Sequence, residues 1–300
     1  MKKKQNTKVL VNLIDADPIV YEACFVAEAK EKEGVYLNEY QVFKVVDTIM
    51  RAIFRHTPMS THYKPYLTIG KDNFRLKRAT TLPYKGERKK DKPFFYDKVR
   101  DYLVKHWNAQ LVSGVEADDA LTIAKKHHEA KGIKCMISSI DKDLDQEEGL
   151  HYNPKRKQVY EIDYPKAQRN LWKQVIIGDP TTDNIPGLSH AYFWDTIREG
   201  DSMLGEPREK QYGPARAKRI LDEAKGDDYA TRILNEYVDV YGYDGEERTI
   251  QHGIDRFYET YDLVYMLREA PEGVKIAFDY LPIRRDDLGF EEENHSSLEF

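Results

Sequence analysis

Apolar and polar positions follow two periods along the chain, and the change of period divides it. Residues 9–14 form an apolar run broken only by Asn12 and closed by Asp15. Pro18 then opens a helical pattern to about residue 30, so this stretch reads as strand, loop, helix. Val42, Val45, Val46, Ile49 and Ile53 recur at helical spacing within 36–56. Residues 66–69 read as a strand, 93–107 as a helix, 110–112 as a strand, and 117–130 as a helix stopped by Gly132. Residues 135–139 read as a buried strand followed by Asp141, 158–162 as a strand and 165–177 as a helix. This alternation predicts an α/β core over residues 1–178, with a mainly parallel sheet flanked by helices. Beyond 178 strand signals nearly vanish. Residues 214–224, 228–241 and 251–267 read as helices, a helical region over 179–270.

At 300 residues the chain has room for about two domains, and with 40% hydrophobic residues it can bury a sizeable core. A disordered chain is thereby excluded. Acids and bases nearly balance, 52 against 47, which excludes a uniformly basic nucleic-acid coat but not a local patch. Such a patch exists: residues 71–92 carry nine Lys or Arg and three acids, and Phe94, Phe95 and Tyr96 follow. Bases can track a phosphate backbone while aromatics stack on single-stranded bases. Residues 286–300 hold six acids and no Lys or Arg, the end of an acidic tail over 271–300. Two cysteines, Cys24 and Cys135, cannot staple a scaffold and fit a reduced cytoplasm. No apolar run approaches a membrane span, and the basic start lacks the hydrophobic region of a signal peptide.

Acids stand where strands end. Asp15 closes the first apolar run, and Glu116, Asp118 and Asp119 open the helix after strand 110–112. Asp141 and Asp143 follow strand 135–139, while Asp179 and Asp183 follow helix 165–177. Each segment alone has an ordinary reading: a loop acid, a helix N-terminus favoured by the dipole, a turn. Their joint occurrence, in order and beside a basic patch, argues for one cleft at the carboxyl edge of the sheet. So many like charges are costly together unless cations neutralise them. An all-oxygen set suits Mg²⁺ or Mn²⁺, and two such ions can stabilise both oxygens of a phosphodiester hydrolysis.

Six ordered pieces carry a resemblance. They are Leu13-Ile14-Asp15-Ala16-Asp17, Tyr84-Lys85-Gly86-Glu87-Arg88, Val115-Glu116-Ala117-Asp118-Asp119-Ala120, Ser138-Ser139-Ile140-Asp141-Lys142-Asp143, Gly178-Asp179 with Asp183-Asn184-Ile185-Pro186-Gly187, and Gly213-Pro214-Ala215-Arg216-Ala217-Lys218. Together they resemble the 5′-nuclease family of flap endonucleases and 5′→3′ exonucleases, with proportions most like a bacteriophage enzyme. The resemblance implies a PIN-like nuclease core with an arch-like segment at about 71–107, followed by a helix–three-turn–helix region. It implies a metal-dependent 5′→3′ exonuclease and structure-specific flap endonuclease.

It also implies roles for residues. Asp15, Glu116, Asp118, Asp141 and Asp143 would stand near the metals, with Asp119 supporting them. Asp179 and Asp183 would complete a second site, for two Mg²⁺ or Mn²⁺ ions in all. Lys85 and Arg88 would be the catalytic cations. Lys71, Arg75, Lys89, Lys90, Gly187, Gly213, Arg216 and Lys218 would hold DNA, and the glycine turns would also bind K⁺. Residues 188–212 look like an insertion between those turns. The substrate would be DNA with 5′ ends or flaps, bound by a monomer in the cytoplasm, the host's if the source is a phage. Two departures stand out. The strand at 66–69 ends in Thr68, Ile69 and Gly70 where the family carries an acid, and Asp179 and Asp183 are four apart where three is usual. The rival readings are a non-catalytic DNA-structure-binding protein of the same fold and a nuclease directed at RNA–DNA hybrids.

Overall fold

The computed structural model describes residues 9–86, 91–180, 182–188, 212–224, 228–241 and 250–289. At its centre lies a sheet in the order β3 (Gln110–Gly114), β2 (His62–Asn73), β1 (Leu10–Asp15), β4 (Lys134–Ser138), β5 (Gly149–Asn153), β6 (Gln158–Ile162). The first five run parallel and β6 returns antiparallel to β5. All six residues of β1 are buried, as expected of a central strand covered on both faces. Its one polar interior residue, Asn12, donates to the Thr57 hydroxyl and accepts from Ser138. The register sets Asp15 beside Tyr66 and Ile14 beside Ser138, so Asp15, Thr68 and Ser139 emerge at one carboxyl edge.

Leu10 and Ile14 point to one face of the sheet, against α1 (Asp17–Lys32), α2 (Glu39–His56) and α4 (Tyr96–Trp107). Val11 and Leu13 point to the other, against α5 (Ala117–Ala130). A short α3 (Phe74–Arg78) follows β2 directly. The helices α6 (Tyr164–Ile177), α7 (Pro214–Ala224), α8 (Tyr229–Tyr241) and α9 (Ile250–Val264) share a separate core around Val175, Ile220, Ile233, Tyr237 and Phe257. No described helix is long and apolar enough to cross a membrane.

Two elements differ from the sequence reading. The strand β5 is short, follows two glutamates and carries a single aliphatic residue, so no period marks it. The expected tail is the larger correction. After α9 the chain recrosses the sheet, laying Val274, Ile276, Phe278 and Tyr280 on the Val11, Leu13 and Tyr66 face. The Tyr66 hydroxyl donates to the Ala277 carbonyl at 2.9 Å, and the buried Lys64 ammonium pairs with Asp279 at 3.1 Å. This strap ends in β7 (Leu281–Pro282), antiparallel to the start of β2. Its alternating apolar residues, not its acids, decide where it lies. Residues 290–300 lie outside the described residues, as does most of the expected insertion.

Candidate active site

The carboxyl edge opens into a cleft of about 790 Å³. Asp15 reaches it from the end of β1, Asp17 from the start of α1, and Glu116 and Asp118 from the start of α5. Asp141 and Asp143 come from the turn after β4, and Asp183 from the loop after α6. A chain of hydrogen bonds ties the acids after β1 and β4 together. Asp15 accepts from the Ser139 hydroxyl at 2.8 Å, and that same hydroxyl oxygen accepts the Asp141 N–H at 3.0 Å. Asp141 in turn caps Asp143 N–H at 2.8 Å, and Asp143 accepts from the Gln174 amide at 2.9 Å.

Crowding shows in the protonation equilibria. Burial first, then Asp17 and Asp141, pushes the Asp15 carboxyl up to about 8. Burial and then Asp141 push Asp143 up to about 7. Asp118 is held well above the ordinary range by burial and by Asp15, Asp141 and Glu116. Glu116 goes the other way: burial raises it, but the Lys85 and Arg75 cations outweigh burial and hold it below its usual value. One buried oxygen, Asp118 Oδ1, has no hydrogen-bond partner.

Lys85 stands opposite the acids. Its backbone adopts the left-handed conformation, φ 56°, which costs a non-glycine residue energy and persists only where surroundings impose it. They do so here: Lys85 N–H donates to the Asp183 carbonyl at 2.9 Å, and Asn184 donates to the Pro83 carbonyl at 3.1 Å. The ammonium bonds Glu116 and lies 3.7 Å from Asp183, while the Tyr84 hydroxyl donates to Glu116 at 2.8 Å. The loop that supplies Asp183 is pinched shut by two glycines at positive φ. A Cβ on Gly178 would lie 2.7 Å from the Gly187 nitrogen, so neither position admits a side chain without opening the loop.

The structure gathers Asp15, Glu116, Asp118, Asp141, Asp143, Asp183 and Lys85 on this cleft. Asp179 lies in an adjoining smaller cavity that shares Asp143, within electrostatic reach of it. Asp119 does not face the cleft. Both its oxygens are taken by the Arg75 guanidinium, at 2.5 and 2.9 Å, and one also accepts the Glu116 N–H. Arg75 is correspondingly no surface DNA contact: it is 1% exposed and also donates to the Leu263 carbonyl in the last turn of α9 and to the Tyr265 carbonyl just after it. Removing one partner of such a buried pair leaves an uncompensated charge. We expect Arg75→Ala to lower unfolding stability by about 3–5 kcal/mol, read from denaturant midpoints.

Arg216 is likewise turned inward, stacked on Tyr212 and facing Glu236 at 3.8 Å, because both partners lie on the same helical core. Lys218 is exposed but paired with Asp222 at 2.8 Å. Gly213 is open to its surroundings, and the Gly187 carbonyl already accepts from the Tyr241 hydroxyl. Lys71 belongs to β2, whereas Arg88, Lys89 and Lys90 lie outside the described residues.

Sequence reasoning missed four cleft residues. Asp17 accepts the Thr68 N–H at 3.1 Å and faces Arg100 at 3.3 Å, placing a carboxylate beside Thr68 on β2, four residues before the acid that strand does encode, Asp72. Its signal is the Asp15-Ala16-Asp17 spacing. Tyr84 was visible only as part of a motif. Tyr21 and Phe25, one turn apart on α1 and 40% and 54% exposed, form an aromatic wall beside the acids.

As placed, no three His, Cys, Asp or Glu side chains among the described residues are gathered tightly enough to hold an ion. The Lys85 ammonium occupies the gap between Glu116 and Asp183 instead. The donor chemistry nevertheless fits a divalent cation. The set is all oxygen, its members raise one another's proton affinity, and Asp118 Oδ1 is buried with nothing to bind it.

No protein-family model and no curated protein sequence matches the chain. Solved structures do. The fold is that of phage T5 5′-exonuclease, a mixed α/β fold built on a mainly parallel sheet. A mutant of that enzyme superposes with a TM-score of 0.54 at 14% identity, covering 86% of this chain and 88% of its own. The same exonuclease with bound divalent metal ions (zinc) gives 0.54 at 15% identity, over 85% and 89%.

Proposed function

We propose that the protein is a metal-dependent 5′→3′ exonuclease and flap endonuclease that hydrolyses DNA phosphodiester bonds as a cytoplasmic monomer. The observation that carries this reading is the cleft itself. Acids from the ends of β1 and β4 and the start of α5 converge on one lysine held in a strained conformation, within a fold shared with a 5′-exonuclease. Asp15, Asp118, Asp141 and Asp143 would hold one Mg²⁺ or Mn²⁺, and Asp179 and Asp183 would serve a second. Such ions supply charge neutralisation at the attacking and leaving oxygens.

The chain's own residues do the rest. Lys85, displaced from Glu116 when the acids are otherwise neutralised, is free to face a phosphate oxygen and offset the charge that grows there. Tyr21 and Phe25 offer faces on which an unstacked terminal base can rest beside that phosphate. Lys77 and Arg78, both largely exposed on α3, extend the basic approach. The rival of a non-catalytic binder leaned on the missing acid at Thr68–Gly70, and the Asp17 carboxylate beside Thr68 weighs against it. The glycine turns are the remaining candidates for K⁺.

The test is cleavage of 5′-labelled duplex, flap and RNA–DNA hybrid substrates. We expect Mg²⁺-dependent release of short 5′ products, none in EDTA, and recovery when Mg²⁺ or Mn²⁺ is restored. Undiminished cleavage in chelator rules the reading out, and preference for the hybrid shifts it to primer removal.

A further inference from the structure

Glu259 lies on α9, in the helical region, and is 8% exposed. It faces the segment that links α3 to Lys85. Its Oε1 accepts the backbone N–H groups of Thr80 at 2.5 Å and Thr81 at 2.6 Å. Its Oε2 accepts the Thr81 hydroxyl, with Arg256 3.7 Å away as countercharge. Hydrogen bonds from neutral donors to a buried carboxylate are short and strong, and they are what makes burying the charge tolerable. None of these three donors belongs to α9, whose own packing runs through Phe257 and Leu263. The carboxylate therefore grips a loop from outside. Two and four residues beyond Thr81, the same loop is tied to the Asp183–Asn184 turn through the Pro83 carbonyl and the Lys85 N–H. Lys85 sits in its left-handed conformation between these two clamps.

We propose that Glu259 is a positioning residue for Lys85, fixing from the helical region the backbone that aims the ammonium into the cleft. This rests on the reading of Lys85 as the phosphate-facing cation. A residue acting only through Lys85 must lose its influence when Lys85 is gone, whereas one that merely supports the fold keeps it.

The experiment is a double-mutant cycle in single-turnover cleavage of a 5′-flap substrate with Mg²⁺, beside binding in Ca²⁺. Glu259→Ala is expected to slow cleavage roughly ten- to hundredfold, the scale of a misplacement near 1 Å, with little change in Kd. In the Lys85→Ala background, Glu259→Ala should change the rate by less than about twofold. Glu259→Gln keeps an oxygen for Thr80 and Thr81 and should restore most of the rate. Should Glu259→Ala not fold, Glu259→Asp, which keeps the charge but withdraws it, carries the same cycle. Multiplying rate losses, a normal rate in Glu259→Ala, or a loss confined to Kd each overturn the proposal while the nuclease reading stands. A wild type that cleaves nothing takes both down.

Discussion

Asp118→Ala is expected to lose cleavage by at least about two orders of magnitude without losing stability, and to bind duplex normally in Ca²⁺. Activity falls because the variant removes a carboxylate at the centre of the acid group. Stability is decided by two opposed effects. An acid in the first turn of α5 favours the helix dipole by under about 1 kcal/mol. Against that, burial and three neighbouring carboxylates hold Asp118 well above its ordinary pKa. A carboxyl whose pKa rises on folding costs stability at pH above its unfolded value and nothing well below it. The variant should therefore melt at or above the wild-type temperature near pH 8 in EDTA, and the advantage should shrink as pH falls toward 4. A variant that melts clearly lower at pH 8, or one that keeps wild-type turnover, contradicts this account of the cleft.

Lys85→Ala should separate chemistry from affinity. Its single-turnover rate is expected to fall roughly a hundredfold or more, the scale of losing one preorganised electrostatic stabiliser. Affinity in Ca²⁺ should change little, since one of several phosphate contacts is lost. The preorganisation is visible: the N–H is tied to Asp183, the φ is 56°, and the ammonium already rests among carboxylates. If the variant binds weakly but cleaves at the normal rate once saturated, Lys85 belongs with the general basic surface. Measuring rate at saturating enzyme and Kd by titration distinguishes the two.

Most of the cleft acids were legible because they follow an apolar run whose last residue marks the edge of the sheet. Asp15, Asp141 and Asp143 announce themselves that way, and Glu116 and Asp118 open a helix directly after a strand. Asp17 was not, because an acid in the first turn of a helix needs no further explanation. Its partners Thr68 and Arg100 lie 51 and 83 positions away. Arg75 misled for a related reason. Nothing local distinguishes it within a basic run, and what turns it inward is Asp119, 44 positions on. Glu259 had no signal at all, since its donors are two backbone N–H groups and one hydroxyl of a loop 178 and 179 positions earlier. Local period reads elements and their ends, whereas the choice between facing water and facing a distant partner is settled by tertiary packing.

The strap bears on how the chain matures during synthesis. The Tyr66 hydroxyl and Lys64 ammonium are buried in β2, yet their partners Ala277 and Asp279 emerge from the ribosome more than 200 residues later. Until then one face of the sheet that carries Asp15 lacks Ile276, Phe278 and Tyr280 as cover. A nascent chain can begin collapsing early, but this face of the sheet stays without its apolar cover until residues 274–280 have been made.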